Sequence, residues 1–291
     1  MDIQSDSPNK LLLFFDINKT VLISDTAKGL SLRDCIKELI SQYAWGVVNN
    51  NDQWELKHSE LVFEQPNEGL ISYYTYLEKK YKLLSIQDEP DEQKRVVINS
   101  EIKTKVRLLR RSLVNEDTQY KDLLEKFKKL ESAVKLADIG ISKENLPVYC
   151  ESGDINLVYS FFHLMLLLQK DNRDFTICFR TFGQDIKEVS NEFNDFCKGI
   201  HPFFNGQNGM PLAKFDGKNG TKNYLIDMTN TGMLYRSSTN VDETDLILGS
   251  TERKQLNLFK DSDNDNSNIV IISGAKNIYS KLKERNSCYP G

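Results

Sequence analysis

The sequence has few of the side chains that build metal centres and disulfide frameworks. Its 291 residues include three histidines and five cysteines. The histidines lie far apart along the chain, at His58, His163 and His201. No two cysteines are spaced as C-x-x-C; they are Cys35, Cys150, Cys178, Cys197 and Cys288. This pattern is not typical of a disulfide framework or a zinc site, and it favours reduced thiols.

Long apolar runs and a large excess of one charge are also missing. No segment approaches the roughly 20 apolar residues that span a bilayer, and the first ten residues are polar rather than a basic leader before an apolar core. The 38 basic and 42 acidic side chains give a formal net charge of −4. Such a balance provides no overall field that would attract nucleic acid or an anionic membrane. We therefore expect a cytoplasmic protein that binds neither.

Short apolar segments that alternate with helical patterns predict an α/β fold. The hydrophobic fraction of 39% and the charged fraction of 27% are ordinary for a globular chain. The predicted strands are Leu11–Phe15, Phe175–Arg180 and Asn268–Ser273. The predicted helices around the last two strands are Ile155–Lys170, Asp185–Cys197 and Lys276–Arg285. His163 falls within the first of these helices and is predicted to be a core histidine.

The stretch between the first two strands is too long for a simple crossover and predicts a separate module. We place a core at 1–23 and 148–291 and a helical insert at 24–147. Within the insert, Glu92–Lys135 lacks glycine and proline and predicts amphipathic helices. A basic cluster there lacks interleaved aromatic residues, which favours a solvated helix face over a nucleic-acid site; it comprises Lys103, Lys105, Arg107, Arg110 and Arg111. Tyr74 and Tyr81 indicate packing or a rim that faces substrate.

The segment that ends the first predicted strand carries the strongest chemical pattern. Asp16 follows Leu11–Phe15, and open α/β sheets place ligands at the carboxyl ends of such strands. The pattern of an apolar strand followed by D-x-N-x-T, at Asp16, Asn18 and Thr20, resembles the first motif of the haloacid dehalogenase-like (HAD) superfamily. Thr181, after the strand Phe175–Arg180, resembles the second motif of that superfamily.

This resemblance implies a Rossmannoid parallel-sheet core, a cap-like insert and phosphatase-type chemistry on a small phosphorylated substrate. Asp16 would attack phosphorus and form an aspartyl-phosphate. Asp16 and the backbone carbonyl of Asn18 would also bind Mg²⁺. The hydroxyl of Thr181 would donate a hydrogen bond to the transferred phosphoryl group, and Thr20 would brace the turn.

Three features depart from the superfamily pattern. Asn18 stands where its phosphatases carry an acid, and an amide cannot act as general acid or base. Lys254 and Lys276 are candidates for the third motif, but no acidic fourth motif follows a later strand. Either the sequence stops before that strand, or the protein is a catalytically inactive binding module whose insert contacts a protein partner. A carboxylate that reaches Asp16 could substitute; the candidates are Asp185, Asp227 and Asp261.

Two further acidic patterns have simpler explanations. Asp227 begins a D-x-T-x-T-G sequence, but the chain after it is too short for a crossover helix. We expect instead a β-hairpin with Asn230-Thr231-Gly232 in its turn and Leu234–Arg236 as the return strand. Asp261, Asp263 and Asp265 match the start of a calcium-binding loop, but the required glycine and glutamate are missing, which favours an acidic surface loop.

Overall fold

The computed structural model describes residues 10–25, 28–136, 146–150, 153–181, 185–207, 210–212, 214–236, 244–249 and 270–290. In chain order the elements are β1 (Leu11–Asp16), α1 (Leu32–Tyr43), β2 (Trp45–Val48), β3 (Trp54–His58), β4 (Ile71–Ser72), α2 (Tyr73–Lys80), α3 (Glu92–Ser112), α4 (Lys121–Ala133), α5 (Tyr159–Lys170), β5 (Phe175–Arg180), α6 (Ile186–Lys198), β6 (Thr231–Arg236), β7 (Thr244–Leu248), β8 (Val270–Ser273), α7 (Ala275–Lys283) and β9 (Ser287–Pro290).

The chain divides into two compact units. One combines Met1–Gly29 with Gly140–Gly291, and the other is Leu30–Ile139. The insert expected from the sequence, 24–147, begins six residues before Leu30 and ends eight residues after Ile139. The first unit thus contains β1 together with α5 and every later element, and the second contains α1 to α4 with β2 to β4.

A six-stranded mixed sheet forms the centre of the first unit. Its strand order is β1-β5-β9-β6-β7-β8. The pairs β1–β5, β5–β9 and β6–β9 are parallel, whereas β6–β7 and β7–β8 are antiparallel. The predicted mixture of helices and strands is therefore confirmed. The expectation of a wholly parallel sheet is wrong, because β6, β7 and β8 follow one another as an antiparallel meander at one side.

Helices cover both faces of this sheet. Side chains alternate across β1, so that Leu11, Leu13 and Phe15 join the core formed with α5 and α6. Leu12 lies on the opposite face, in a smaller core that includes Leu282 of α7. The first core is rich in phenylalanine, and its fully buried rings belong to Phe162, Phe175, Phe179, Phe193, Phe196, Phe204 and Tyr224. The first unit thus has three layers.

The predicted hairpin around Asp227 is wrong. Met228–Asn230 forms a short 3-10 turn, and the strand β6 begins at Thr231 and pairs with β7. Gly232 lies in that strand rather than in a turn. A Cβ atom at Gly232 would collide with the carbonyl oxygen of Ile247, so the close approach of the two backbones requires glycine.

The second unit is not wholly helical, which corrects the expected helical insert. Besides α1 to α4 it contains an antiparallel sheet of order β3-β2-β4. Its core joins Ile40, Trp54, Leu123 and Phe127, which are all at most 5% exposed. The helices α3 and α4 confirm the prediction for Glu92–Lys135. Among helices in the described ranges, none is both long and apolar enough to cross a membrane.

Candidate functional site

Asp16 and Thr181 follow neighbouring strands at the same edge of the sheet. Asp16 ends β1 and is paired in register with Arg180, the last residue of β5. The amide of Ile17 donates to the carbonyl of Arg180 at 3.0 Å, which holds the strand ends together. Asp16 is exposed, whereas Thr181 is only 4% exposed. The carboxyl edge of β1 and β5 is therefore where the predicted nucleophile and hydroxyl both lie.

A tight turn follows Asp16. The carbonyl of Ile17 accepts hydrogen bonds from the amides of Thr20, Val21 and Leu22 at 3.2, 3.1 and 2.9 Å. The side chain of Ile17 is fully buried, which fixes the base of the turn. Lys19 adopts a left-handed backbone conformation with φ of 60°. Thr20 contributes its backbone N–H to this turn, and its side chain is exposed.

Asn18 connects the turn to the other strand through its side-chain amide. Its Nδ2 donates to Thr181 Oγ1 and to Asp185 Oδ2, both at 3.2 Å. Thr181 Oγ1 also donates to Asp185 Oδ2 at 3.3 Å. The opposite orientation of the amide would point its oxygen at the Asp185 carboxylate, so this orientation is chemically required. Asn18 thus acts as a donor to a carboxylate.

Asp185 completes this cluster, and the sequence alone did not show that it contacts Asn18 and Thr181. It precedes α6 and is 3% exposed, but its side chain makes no capping hydrogen bond to that helix. It turns toward Asn18 and Thr181 instead. The sequence indicated Asp185 as a helix start and as one of three carboxylates that could reach Asp16. Only the pairing of β1 with β5 shows which neighbours it has.

One buried oxygen of the cluster has no partner in the described part of the chain. Asn18 Oδ1 is buried without a hydrogen bond there, and an unsatisfied buried acceptor costs roughly 1–3 kcal/mol. Close by in sequence, Asp25 is 2% exposed and binds the Nζ of Lys28 at 3.1 Å, with the Nζ of Lys19 at 3.9 Å. The end of β1 and the segment after it therefore combine the exposed Asp16 carboxylate, the unsatisfied Asn18 Oδ1 and two lysines, Lys19 and Lys28.

The other acidic candidates lie elsewhere. Asp227 is exposed, and its Oδ1 accepts hydrogen bonds from the amide and hydroxyl of Thr229 at 2.7 and 2.6 Å. Asp245 is 7% exposed on β7, but β5, β9 and β6 separate that strand from β1, so Asp245 does not supply the fourth motif beside Asp16. Lys276 is exposed on α7. The remaining predicted positions fall outside the described residues: Lys254, Asp261, Asp263 and Asp265.

A second buried polar cluster occupies the core of the first unit. His201 is 1% exposed, and its Nδ1 accepts hydrogen bonds from the amides of Phe203 and Phe204 at 3.1 and 3.2 Å. The proton must therefore sit on Nε2, which faces Glu192 Oε1 at 3.4 Å. Burial raises the pKa of Glu192, and His201 opposes that shift. His163, predicted to be in the core, is exposed instead, because it faces outward on α5.

The buried cysteines do not resemble nucleophiles. Burial raises the pKa of the Cys150 thiol to about 12, and nearby Glu192 adds to the shift. Burial also raises the pKa of Cys197 well above its usual value. Thiolate is the reactive form of cysteine, so these two side chains are inert at neutral pH.

The ligands that the resemblance implies for a metal ion are the Asp16 carboxylate and the Asn18 backbone carbonyl. Both are hard oxygen ligands, and Mg²⁺ is commonly held by one or two carboxylates together with water and substrate phosphate. Within the described ranges, no group of three histidine, cysteine, aspartate or glutamate side chains could hold a metal ion. The residues therefore suit a magnesium ion shared with a phosphate, and do not form a complete protein cage.

No protein-family model, curated protein or solved structure matches this chain. The chemistry of the candidate site therefore has to be argued from its own residues.

Proposed function

We propose that the protein is a HAD-like phosphotransfer enzyme, with a Rossmannoid core, a cap-like second unit and Asp16 as nucleophile toward a small phosphorylated substrate. The observation that carries this proposal is the parallel pairing of β1 with β5, which brings Asp16 and Thr181 to one edge of the sheet. Ligands of open α/β sheets bind at the carboxyl ends of the strands. An exposed carboxylate can serve as the nucleophile of an in-line phosphoryl transfer, and a strand-end hydroxyl can donate to the transferred group.

In the proposed reaction a carboxylate oxygen of Asp16 forms a bond to phosphorus while the bond to the leaving oxygen breaks. The leaving oxygen departs with the electron pair, and water later releases phosphate from the aspartyl-phosphate. The hydroxyl of Thr181 would turn from Asp185 to donate to a phosphoryl oxygen. Asn18 cannot protonate the leaving group. Substrates whose leaving group is stable as an anion, such as acyl or aryl phosphates, are therefore the best candidates.

A magnesium ion fits the proposal at Asp16 Oδ and the carbonyl of Asn18. It would neutralise the repulsion between the carboxylate and the incoming phosphate. Lys19 adds a positive charge to the same turn. We include a cytoplasmic location in the proposal, because inert buried thiols such as Cys150 and Cys197 suit a reducing compartment.

The second candidate is a HAD-fold binding protein without turnover, whose insert contacts a partner. The hydrogen bonds of Asn18 favour this candidate, because the side chain at the position of the general acid is an amide that donates to Thr181 and Asp185. In this candidate the cluster serves to fasten the turn after β1 to the end of β5, and the edge of the sheet binds phosphate without cleaving its ester.

Incubation with acetyl phosphate and with an aryl phosphate, each with Mg²⁺ or with chelator, separates the two candidates. Phosphate release and the gain of one phosphoryl group in the intact protein mass would be measured together. Asp16→Asn should abolish both signals. Asp227→Asn is the matched control, because Asp227 has a similar sequence pattern and is exposed. Wild-type protein that shows neither turnover nor adduct favours the binding protein, and an effect of Asp227→Asn equal to that of Asp16→Asn refutes the assignment of the nucleophile.

A further inference from the structure

A cavity of about 530 Å³ lies within the second unit, between the end of α2 and the middle of α3. Its apolar lining includes Tyr81, Ile102 and Val106. Val106 is 6% exposed and belongs to the core of that unit, so this wall of the cavity is fixed by packing. The volume falls in the range of roughly 300–1,000 Å³ that is usual for small-molecule sites.

The polar lining of the cavity is strongly cationic. Four basic side chains lie there with one carboxylate, that of Glu78; the four are Lys82, Lys103, Arg107 and Arg110. Glu78 is engaged by Arg110, with Nη2 at 3.3 Å from Oε1. None of the ion pairs formed by described residues involves Lys82, Lys103 or Arg107. Three cations at the pocket therefore have no ion-pair partner among the described residues; Arg107 is half-buried, and Lys82 and Lys103 are exposed at its rim.

Arg110 is held in place by contacts that leave one of its donors unused. Its guanidinium lies 3.5 Å from the centroid of the Tyr74 ring, and its side chain is 15% exposed. Arg110 Nε is buried and has no hydrogen-bond partner in the described part of the chain. Arg111, the next residue, pairs with Asp34 and Glu38 of α1, and its Nε is likewise buried without a hydrogen bond among the described residues. The predicted basic face of α3 is thus divided: Arg111 pairs with α1, whereas Arg107 and Arg110 line the cavity.

We infer that this cavity is a binding site for a small organic phosphate or phosphonate that carries an apolar ring. The unpaired cations supply the charge complement of a dianion, and lysine and arginine are the side chains that commonly bind phosphate oxygens. Tyr81, Ile102 and Val106 would contact the ring. An apolar pocket of limited volume suits a small ligand better than a polyanion, whose backbone needs an extended cationic groove.

Benzylphosphonate tests this inference because its carbon–phosphorus bond cannot be cleaved by transfer chemistry at Asp16. Binding to the full chain would be measured by titration calorimetry at low ionic strength. Inorganic phosphate and benzyl alcohol would be titrated separately, as probes for the anionic group and the aromatic ring of benzylphosphonate. We expect saturable binding of benzylphosphonate that is stronger than that of either half. Since one charge-assisted hydrogen bond contributes roughly tenfold in affinity, Lys103→Gln and Arg107→Gln should each weaken binding by about that factor.

Lys94→Gln is the matched control, because Lys94 is exposed on the same helix but does not line the cavity. It should leave the affinity unchanged. Trp45 and Trp54 both lie in the second unit, so their emission verifies that each variant is folded. Absence of saturable binding, an equal loss in Lys94→Gln, or no loss in Lys103→Gln and Arg107→Gln would overturn the inference. So would stronger binding of a single-stranded oligonucleotide that displaces benzylphosphonate.

Discussion

Replacement of Asn18 by aspartate would place an acid where the HAD motif that the chain resembles carries one, and the structure indicates which group that acid would contact. Asn18 Nδ2 lies 3.2 Å from Asp185 Oδ2, and Asp185 is 3% exposed. In Asn18→Asp an oxygen takes the place of that donor. Two carboxyl groups at this separation cannot both ionise readily and hold one proton between them. The variant therefore gains a carboxyl pair whose upper apparent pKa is raised.

The size of the effect follows from the separation. Two unit charges 3.2 Å apart repel by about 5 kcal/mol at an effective dielectric constant near 20, which is an upper limit because proton uptake relieves the repulsion. A carboxyl group whose pKa is raised in the folded state stabilises the fold fully below its unfolded-state pKa of about 4. That stabilisation is lost as the pH rises through the folded-state pKa. We expect Asn18→Asp to lose about 2–4 kcal/mol of unfolding free energy near pH 8 and about 1 kcal/mol near pH 5.

Asn18→Ala is the control for the lost hydrogen bonds. It removes the two donations to Thr181 and Asp185 without adding a titratable group. Its cost should be about 1–3 kcal/mol, without the additional loss between about pH 5 and about pH 8 that a second carboxyl group produces. The difference between the two variants thus isolates the repulsion between the carboxylates.

The assay must report on the first unit, because both tryptophans lie in the second. Cys178 and Cys197 are fully buried in the first unit and become reactive only when it opens. Thiol modification would be followed by peptide mass along a urea series at several pH values, normalised to the unfolded chain at each pH. If the stability of Asn18→Asp parallels that of Asn18→Ala from about pH 5 to about pH 8, residue 18 does not contact Asp185 and the site geometry is wrong.

Three further predictions concern stability. Glu192→Gln should become more stable than the wild type as the pH rises above about 4. Burial raises the pKa of Glu192, so the wild type loses stability as the pH rises through that pKa, whereas the variant does not. Urea titrations that follow the protection of Cys197 measure the difference in unfolding free energy, and a difference that stays constant across pH would contradict the prediction. Phe162→Ala should cost about 3–5 kcal/mol by the same thiol assay, since Phe162 is fully buried, and a loss below about 1 kcal/mol would contradict the packing. Ser31→Ala should cost about 1 kcal/mol in urea unfolding followed by the emission of Trp54, because Ser31 forms a capping box at α1, whereas Ser31→Thr, which keeps the hydroxyl, should retain most of the stability.

Local patterns predicted those elements whose apolar run or periodicity is visible within the element itself. The apolar run Leu11–Phe15 and the segment Phe175–Arg180 became β1 and β5 with nearly the predicted bounds. The helix α6 ends at Gly199 in a left-handed conformation, a stop signal that the sequence shows directly. Buried strands and amphipathic helices carry their periodicity in the sequence, so these predictions needed no knowledge of the partner elements.

The elements that were missed are short strands with little signal of their own. The segment Ser287–Pro290 has no apolar run, yet it forms β9 between β5 and β6. Only two residue pairs on each side define its place in the sheet: Ile177 and Cys178 of β5, and Thr231 and Gly232 of β6. In the second unit, β2 and β3 are short strands around the polar turn that includes Asn49 and Asp52. Such short strands are stabilised by neighbours rather than by their own composition.

The candidate site shows the same division between local signal and tertiary placement. Asp16 and Thr181 were predicted because each follows a recognisable strand, and parallel strands bring their carboxyl ends to one edge. The partner of Asn18 was not predictable, since the carboxylate of Asp185 belongs to a helix start whose side chain leaves its own helix uncapped. An amide at position 18 satisfies that buried carboxylate, which an acid there would repel. The amide at position 18 and the buried position of Asp185 therefore have one physical explanation, and the pH dependence of Asn18→Asp measures it.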